Sequence, residues 1–569
     1  MTKQRKPEAF LDDYRGRLFE GRWPSLAVLF AISAERFPER PCFTVYDPER
    51  VSLSWREAQD LVGRVAATLV GLGVGPGDRV IVTGKNGSEW AVAWLAAIHA
   101  GAVVVPIDYQ LRKDETANLV RAADAKVAFI DEEKWEDIGK DDFGLAAKLS
   151  LSRQKPSYIY DAAAATPIPI VPRKEEDLAA ILFTSGTTGV PKGVMLSHGN
   201  LVADCLLAQG NLDIHPTDVF YALLPLHHSY TMLAVFIEAM SVGAEIVFGR
   251  KMATSQIFRD LREAKITMFL GVPLLFNKVL AGIMKGVKAK GPLVYGLIRA
   301  LLAVSGLVKK TLGVNPGKGM FGSILDKVSL STVRICISGG GPLAPSVFRL
   351  YNQLGIDFVQ GYGLTETSPI LALNPIEAYR ETSVGALIPG VEARILDPDE
   401  AGRGELAVKG PMVMQGYFRS PEETAKVFTA DGWFRTGDIG YLDADNYLYL
   451  TGRAKSLIVT EGGKNVYPEE IENRFQLYEE IDQILVRGYI PDASTAAEEI
   501  EALVFPSEDW RRSLPTADAA SVERRVAEIV AEVNERLLPY QRISRTSVLA
   551  EAMEMTTTKK IKRFAVGSA

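Results

Sequence analysis

An α/β fold with a largely parallel sheet, in more than one domain, is what the sequence predicts. Three observations lead there. Strand-like and helix-like segments alternate between 54 and 107, which favours parallel α/β architecture. The chain has 569 residues, whereas a typical domain has about 100–200. A polar, glycine-rich stretch at 184–193 is framed by apolar runs at 178–183 and 194–196, the pattern of a strand, a loop and another strand.

Composition narrows the class. A chain 47% apolar and 24% charged suits a globular protein with sizeable cores. The 64 basic and 70 acidic residues give a net charge of −6, which argues against nucleic acid as the main partner. Cys42, Cys205 and Cys336 are scattered in apolar contexts and read as buried thiols of a reducing compartment. The five histidines are too dispersed for a metal site; only His227 and His228 are adjacent. The polar, basic N-terminus leads into no apolar core, so no secretory signal is expected. The most apolar long stretch, 91–107, contains His99, Gly101 and Pro106 and divides into a helix and a strand rather than a membrane span. A cytoplasmic protein is expected.

The elements follow in order. Ser54 opens a helix to about Leu72, and Glu57 three residues later completes a capping box. A glycine-proline turn cluster at 73–78 precedes a buried strand at 79–83, a helix at 89–99 and a strand at 102–106. All read as scaffold. In the loop, Thr184, Ser185, Gly186, Thr187, Thr188 and Gly189 precede Pro191, Lys192 and Gly193. Glycines let backbone approach a ligand closely. Successive N–H groups, hydroxyls and a lysine make an anion site, and the chemistry suggested is polyphosphate binding. A surface turn has a similar composition. The loop differs from that of the common ATPases and GTPases, because Gly193 follows Lys192 where Ser or Thr would hold magnesium, and no helix starts there to lend its dipole.

Beyond the loop, a strand ends at 224–230 with His227 and His228. Residues 278–328 interleave apolar runs with Lys285, Lys288, Lys290, Arg299, Lys309 and Lys310. That is more often an ordinary helical surface, and otherwise a basic amphipathic face for an anionic membrane. A short strand at 335–338 leads into Gly339, Gly340 and Gly341. From 456 a smaller unit begins: a strand at 457–460, a helix started by Pro468 with acids in its first turn, and an amphipathic helix at 522–537 packed on a small sheet. As bare sequence, 556–563 is a solvated basic tail.

In order, 184–193, 361–369, 433–441 and 451–456 resemble the signature motifs of the AMP-forming acyl-CoA synthetases and their adenylating relatives. The resemblance covers nearly the whole chain and is strongest to the medium- and long-chain fatty-acid branch. It implies a large N-terminal domain of layered α/β subdomains, 1–453, and a small α+β C-terminal domain, 454–569, on a hinge at Lys455. It implies ATP, Mg²⁺ and CoA and a carboxylic acid substrate. The sequence leaves oligomeric state and membrane contact open, and a homodimer and a peripheral membrane contact are both compatible with it. The nucleotide would lie against the loop residues Thr184–Gly189 in number order 184 to 189, Lys192, Gly340, Gly341, Gly361, Tyr362, Gly363, Thr365, Asp438 and Arg453. Tyr362 offers a flat face for adenine, Thr365 a hydroxyl for the α-phosphate, and Asp438 a carboxylate for the ribose diol. Thr184 and Glu366 would hold the metal, since Mg²⁺ prefers hard oxygens; on its own Glu366 also reads as a first-turn helix carboxylate with Thr365 as cap. His228 and Gly339 would line the acyl site, and Gly462 and Gly463 the path of CoA. Lys560 takes the catalytic lysine's place together with Glu366 and Lys192. Lys559 is its rival, because it stands where the family has glycine. Two other readings remain: an acyl-AMP ligase serving a carrier protein, which an insertion after the hinge would favour, and a non-catalytic nucleotide- or acyl-binding protein, which loss of Lys192, Glu366 or Lys560 would favour.

Overall fold

The computed structural model describes residues 6–139, 141–184, 191–250, 253–460, 464–491, 498–514, 518–556 and 561–563. The alternation read from the sequence is present. Helix Trp55–Gly71 starts with the expected capping box: Glu57 N–H donates to Ser54 Oγ at 3.2 Å, and Ser54 N–H donates back to the Glu57 carboxylate at 2.8 Å. Strands Arg79–Thr83 and Val103–Ile107 pair in parallel, joined by helix Ser88–His99. That helix buries every residue except Glu89, as an all-round apolar helix must. The stretch 91–107 is thus interior helix and strand.

Two sheets of 13 and seven strands build the large part. The seven-stranded sheet is packed on both faces. Val80, Val82 and Val104 point into the largest core, and Ile81, Val103 and Val105 into a second one beside helix Lys113–Ala123, the two-residue alternation of a strand. In the larger sheet, Pro41–Val45, Glu245–Phe248, Val219–Ala222, Met268–Gly271, Ile335–Ser338 and Asp357–Gly363 run parallel in that spatial order. Beyond Asp357–Gly363 the pairing turns antiparallel. The largest core joins residues of both sheets with helices Leu26–Arg36, Trp55–Gly71, Ser88–His99 and His198–Ala208. All three cysteines are free and buried.

The two strands that flank the glycine-rich stretch pair with each other. Leu178–Thr184 pairs antiparallel with Lys192–Ser197, Thr184 opposite Lys192. The next helix, His198–Ala208, starts only after the second strand. Residues 278–328 form most of three helices, Pro273–Lys288, Pro292–Leu312 and Gly317–Lys327.

The small C-terminal sheet domain has its own core. Ile481–Tyr489, Glu499–Pro506 and Arg545–Val548 form its sheet, covered by helix Ala519–Asn534, which Asp518 caps through Ser521 N–H at 2.7 Å. The strand expected at 457–460 is only Ile458–Val459, paired with Asn465–Val466. The helix from Pro468 stops at Glu472 and tightens into a 3₁₀ turn. Residues 561–563 are not a solvated tail. Ile561 bridges Met555, and Arg563 donates from Nη2 to both oxygens of Glu472 at 2.7 and 2.6 Å and from Nη1 to Val486 O at 3.0 Å, so an arginine–carboxylate contact overrides the polarity of the segment.

Candidate active site

Ligands of open α/β sheets bind beyond the carboxyl ends of the parallel strands, and here those ends from both sheets meet. Asp108 follows Val103–Ile107, Thr184 ends Leu178–Thr184, Gly339 follows Ile335–Ser338, and Tyr362 lies near the end of Asp357–Gly363. Together with Lys192, His228, Thr365, Glu366, Asp438, Arg453 and Lys455 they line one cleft of about 3230 Å³.

Backbone approaches closely along its floor. A Cβ on Gly363 would meet Pro369 O at 1.6 Å, and one on Gly361 would lie 3.0 Å from Leu373. At Gly339 it would sit 2.8 Å from the Tyr230 ring, whose hydroxyl donates to Ile337 O at 3.0 Å. Gly340 has φ +79°, a conformation glycine adopts without cost.

The polar groups form three clusters. In the first, Lys192 Nζ lies 2.5 Å from Glu423 Oε2 and 5.0 Å from the centre of the Tyr417 ring. Hydrogen bonds from Lys192 and then Lys426 hold the Glu423 carboxyl down at about 2. The Tyr417 hydroxyl donates to Glu366 Oε1 at 2.9 Å, and burial pushes its own pKa well up, so it stays a donor. Tyr417 reaches this position because Gly416–Tyr417 pairs with Met195 and Val194 of the hairpin. Thr365 is not a cap: the 3₁₀ turn Thr365–Thr367 starts from Leu364, and the Thr365 hydroxyl faces Ser229 Oγ at 3.1 Å. The donor set fits a hard cation. Glu366 is half-buried, and one of its oxygens, Oε1, is already oriented by a tyrosine, as an oxygen ligand for Mg²⁺ needs.

In the second cluster, Asp438 is 6% exposed. It accepts from the Tyr362 hydroxyl at 2.6 Å and faces Arg453 Nε at 3.2 Å. Burial and the Asp438 charge raise the Tyr362 pKa, which keeps that proton in place. In the third, the His227 and His228 ring centres are 4.1 Å apart, and His227 Nε2 is 3.6 Å from Asp108. His227 is the more buried, and burial lowers its pKa to about 3, so it is neutral at physiological pH. His228 is half-buried and lines the cleft.

Thr184, Lys192, His228, Gly339, Gly340, Gly341, Gly361, Tyr362, Gly363, Thr365, Glu366, Asp438, Arg453 and the hinge candidate Lys455 are therefore brought together. Ser185, Gly186, Thr187, Thr188, Gly189, Gly462, Gly463, Lys559 and Lys560 lie outside the described residues. Tyr417, Glu423, Ser229, Tyr230 and Asp108 have no counterpart in the sequence reading. A lone Gly-Tyr pair or a glutamate in a helix carries no chemical signature; the signal could only have come from what pairs with the hairpin.

Comparisons with known proteins agree. The AMP-binding enzyme family matches residues 30–418. A long-chain-fatty-acid–CoA ligase of Mycobacterium bovis is 29% identical, over 94% of each chain. A feruloyl-CoA synthase of Amycolatopsis is 29% identical, over 81% of this chain and 85% of that one. The crystal structure of ATP-bound MatB from Rhodopseudomonas palustris superposes with a TM-score of 0.75 at 27% identity, covering 95% and 98%. An anthranilate CoA ligase in complex with anthranoyl-AMP shares the fold, with a TM-score of 0.79 at 20% identity and 96% and 97% coverage. The chain belongs to the AMP-binding enzyme family and, within it, to the AMP-forming acid–thiol ligases.

Proposed function

We propose that this enzyme makes fatty acyl-CoA from a fatty acid, ATP and CoA, with the roles below. The observation that carries the reading is the cleft itself. Besides Lys192, Glu366, Thr365 and Asp438 it is lined by Gly339 and by the apolar residues Val272, Leu274, Leu280, Ala281 and Met284, which would suit an aliphatic chain.

A carboxylate repels nucleophiles, so it must first become an anhydride. One of its oxygens attacks the α-phosphorus of ATP, the bond to pyrophosphate breaks, and acyl-AMP forms. The sulfur of CoA then attacks the acyl carbon, the carbon–oxygen bond to AMP breaks, and the thiol proton leaves to solvent. The first step brings two anions together, so positioning and charge neutralisation dominate it. Lys192 steadies the polyphosphate after leaving Glu423. The Thr365 hydroxyl, steered by Ser229, donates to the α-phosphate. Asp438, fixed by Tyr362 and Arg453, takes the ribose hydroxyls. Glu366 and Thr184 would hold Mg²⁺, which supplies positive charge to phosphate oxygens. Lys560 places an ammonium between the two reacting anions. Rotation of the small domain at Lys455 then withdraws Lys560 and presents the Gly462–Gly463 stretch (numbers 462 and 463) to CoA.

The test is pyrophosphate release with short, medium, long and aromatic acids, each with and without CoA. Turnover that requires CoA, yields AMP and thioester, and is fastest with aliphatic acids is expected. Stoichiometric adenylate unaffected by CoA would point to another acceptor, and preference for aromatic acids would overturn the fatty-acid assignment.

A further inference from the structure

Helix Pro292–Leu312 has two apolar sides. One faces the fold: Leu302 and Ser305 are buried, Lys309 Nζ is held by Asn352 Oδ1 and Asp357 Oδ1 at 2.7 Å each, and a Cβ on Gly306 would lie 2.8 Å from Gln353 Cγ. The other faces solvent. Leu293, Leu297, Val304 and Leu307 are 88, 61, 52 and 63% exposed. Exposed Ala300 lies between them, and the spacing i, i+4, i+7, i+11, i+14 places all five on one stripe opposite Leu302. An 18-residue stretch of the helix has a mean hydropathy of 1.5, and only 11% of its residues are buried. A continuous aliphatic stripe of this kind marks an interaction surface.

The charge around it is one-sided. Residues 278–327 hold nine basic side chains and one acidic, Asp326, in a chain whose net charge is −6. Lys285, Lys288, Lys290, Arg299 and Lys310 are exposed, and Arg299 and Lys310 fall on one flank of the stripe. The same region reaches the cleft: Lys285, Lys288, Tyr295 and Arg299 line it.

We propose that helix Pro292–Leu312 seats the protein on an anionic lipid bilayer. It lies in the interface, its stripe among the acyl chains and its cations against the headgroups. Aliphatic side chains without hydrogen-bonding atoms fit hydrocarbon, and the excess of positive charge fits anionic lipid. A second copy of this chain would bring the same charge to the contact and be repelled. The helix does not cross the membrane, because Leu302, Ser305 and Lys309 tie it to the fold. Docking there sets the cleft against the phase that holds fatty acids; that consequence rests on the fatty-acid reading above, whereas the docking does not.

Co-sedimentation of the full-length protein with phosphatidylcholine vesicles, with and without phosphatidylglycerol, tests this without turnover, so its result is separate from that of the ligase assay. At least about 10-fold stronger binding to the anionic vesicles is expected. Leu297→Ser/Leu307→Ser should lower that binding by about 10-fold and leave the melting temperature and the turnover of a short soluble acid unchanged. Lys290→Glu/Lys310→Glu, at exposed positions outside the cleft, should lower binding to anionic vesicles alone, and decides the matter if the leucine variant melts early. No binding, or equal binding to both vesicles that neither variant weakens, overturns the proposal. So does a dimer in sedimentation that the leucine variant dissociates while vesicles are ignored, which would make the stripe a contact between copies.

Discussion

Tyr417 links two groups that lie 174 positions apart in the chain, Lys192 beneath its ring and Glu366 at its hydroxyl. If Glu366 is the metal carboxylate, removing the hydroxyl loosens that ligand without touching its charge. Tyr417→Phe is expected to raise the Mg²⁺ concentration needed for half-maximal pyrophosphate release by about 10-fold, the usual scale for a residue that orients a ligand. An unchanged Mg²⁺ dependence would remove Glu366 from the metal site. Glu423 acts in the opposite sense. It occupies Lys192 in the free protein and adds a negative charge beside the expected polyphosphate. Because the pair is partly exposed, solvent screens it and its contribution is small. Glu423→Gln should therefore lower the KM for ATP by about 2–5-fold with kcat little changed, measured in the same assay; a raised KM would mean that Glu423 positions Lys192 rather than competing for it. Residues carrying hydroxyl, carboxylate or ammonium inside a recognisable motif were legible in the sequence. Tyr417 and Glu423 were not, since they work by reaching across from a strand edge and a helix.

Elements were legible wherever a local device set them. Ser54 and Glu57 announce a helix, and the apolar runs around the glycine-rich loop announce two strands. The helix Pro292–Leu312 is different: its periodicity is clear, but both sides of it are apolar, and periodicity cannot tell which side the fold covers. The last stretch failed for a related reason, because Arg563 finds Glu472 from another element. Buried charge is also invisible in sequence. Glu238, at the start of Glu238–Val242, is 2% exposed, and burial raises its pKa to about 8. Gln209 Nε2 donates to it at 2.8 Å, and buried Asp204, Cys205 and Ser241 face the same pocket. A carboxyl whose folded pKa is raised is held protonated by the fold. Its contribution is complete below its ordinary value of about 4.5 and is lost as pH rises through about 8. Thermal melts should accordingly show stability falling between pH 5 and 8, and Glu238→Gln should flatten that slope, an effect on the order of a few kcal/mol across the window. A slope unchanged by the substitution would assign it to Asp204 or Glu472, whose pKa values burial also raises.

At the scale of the molecule, the question is whether one arrangement of the two domains can serve both chemical steps. Among the described residues, several polar contacts join them. The Gln476 side chain accepts from Ala344 N–H at 2.8 Å and donates to Pro342 O at 3.0 Å, and Lys278 lies 3.4 Å from Asp482 at an exposed position. Contacts of this kind resemble those between domains that move relative to each other, and the 3₁₀ turn Ala454–Ser456 is the short link that would absorb the change. If Lys560 serves adenylation in one arrangement and the 462–463 stretch serves thioester formation in another, the two steps must respond separately to substitution. Lys560→Ala should cut pyrophosphate release by about 100-fold or more, the scale of a group that stabilises transition-state charge, yet still convert supplied acyl-AMP and CoA to thioester. Lys455→Pro, which restricts φ at the link, should do the reverse: adenylate forms in a single turnover within about 3-fold of the normal rate, and thioester formation falls by about 10-fold or more. Both steps falling together in Lys455→Pro would mean that the two domains work in one fixed arrangement, and loss of adenylation in Lys559→Ala instead of Lys560→Ala would move the catalytic lysine by one residue while leaving the two-arrangement argument intact.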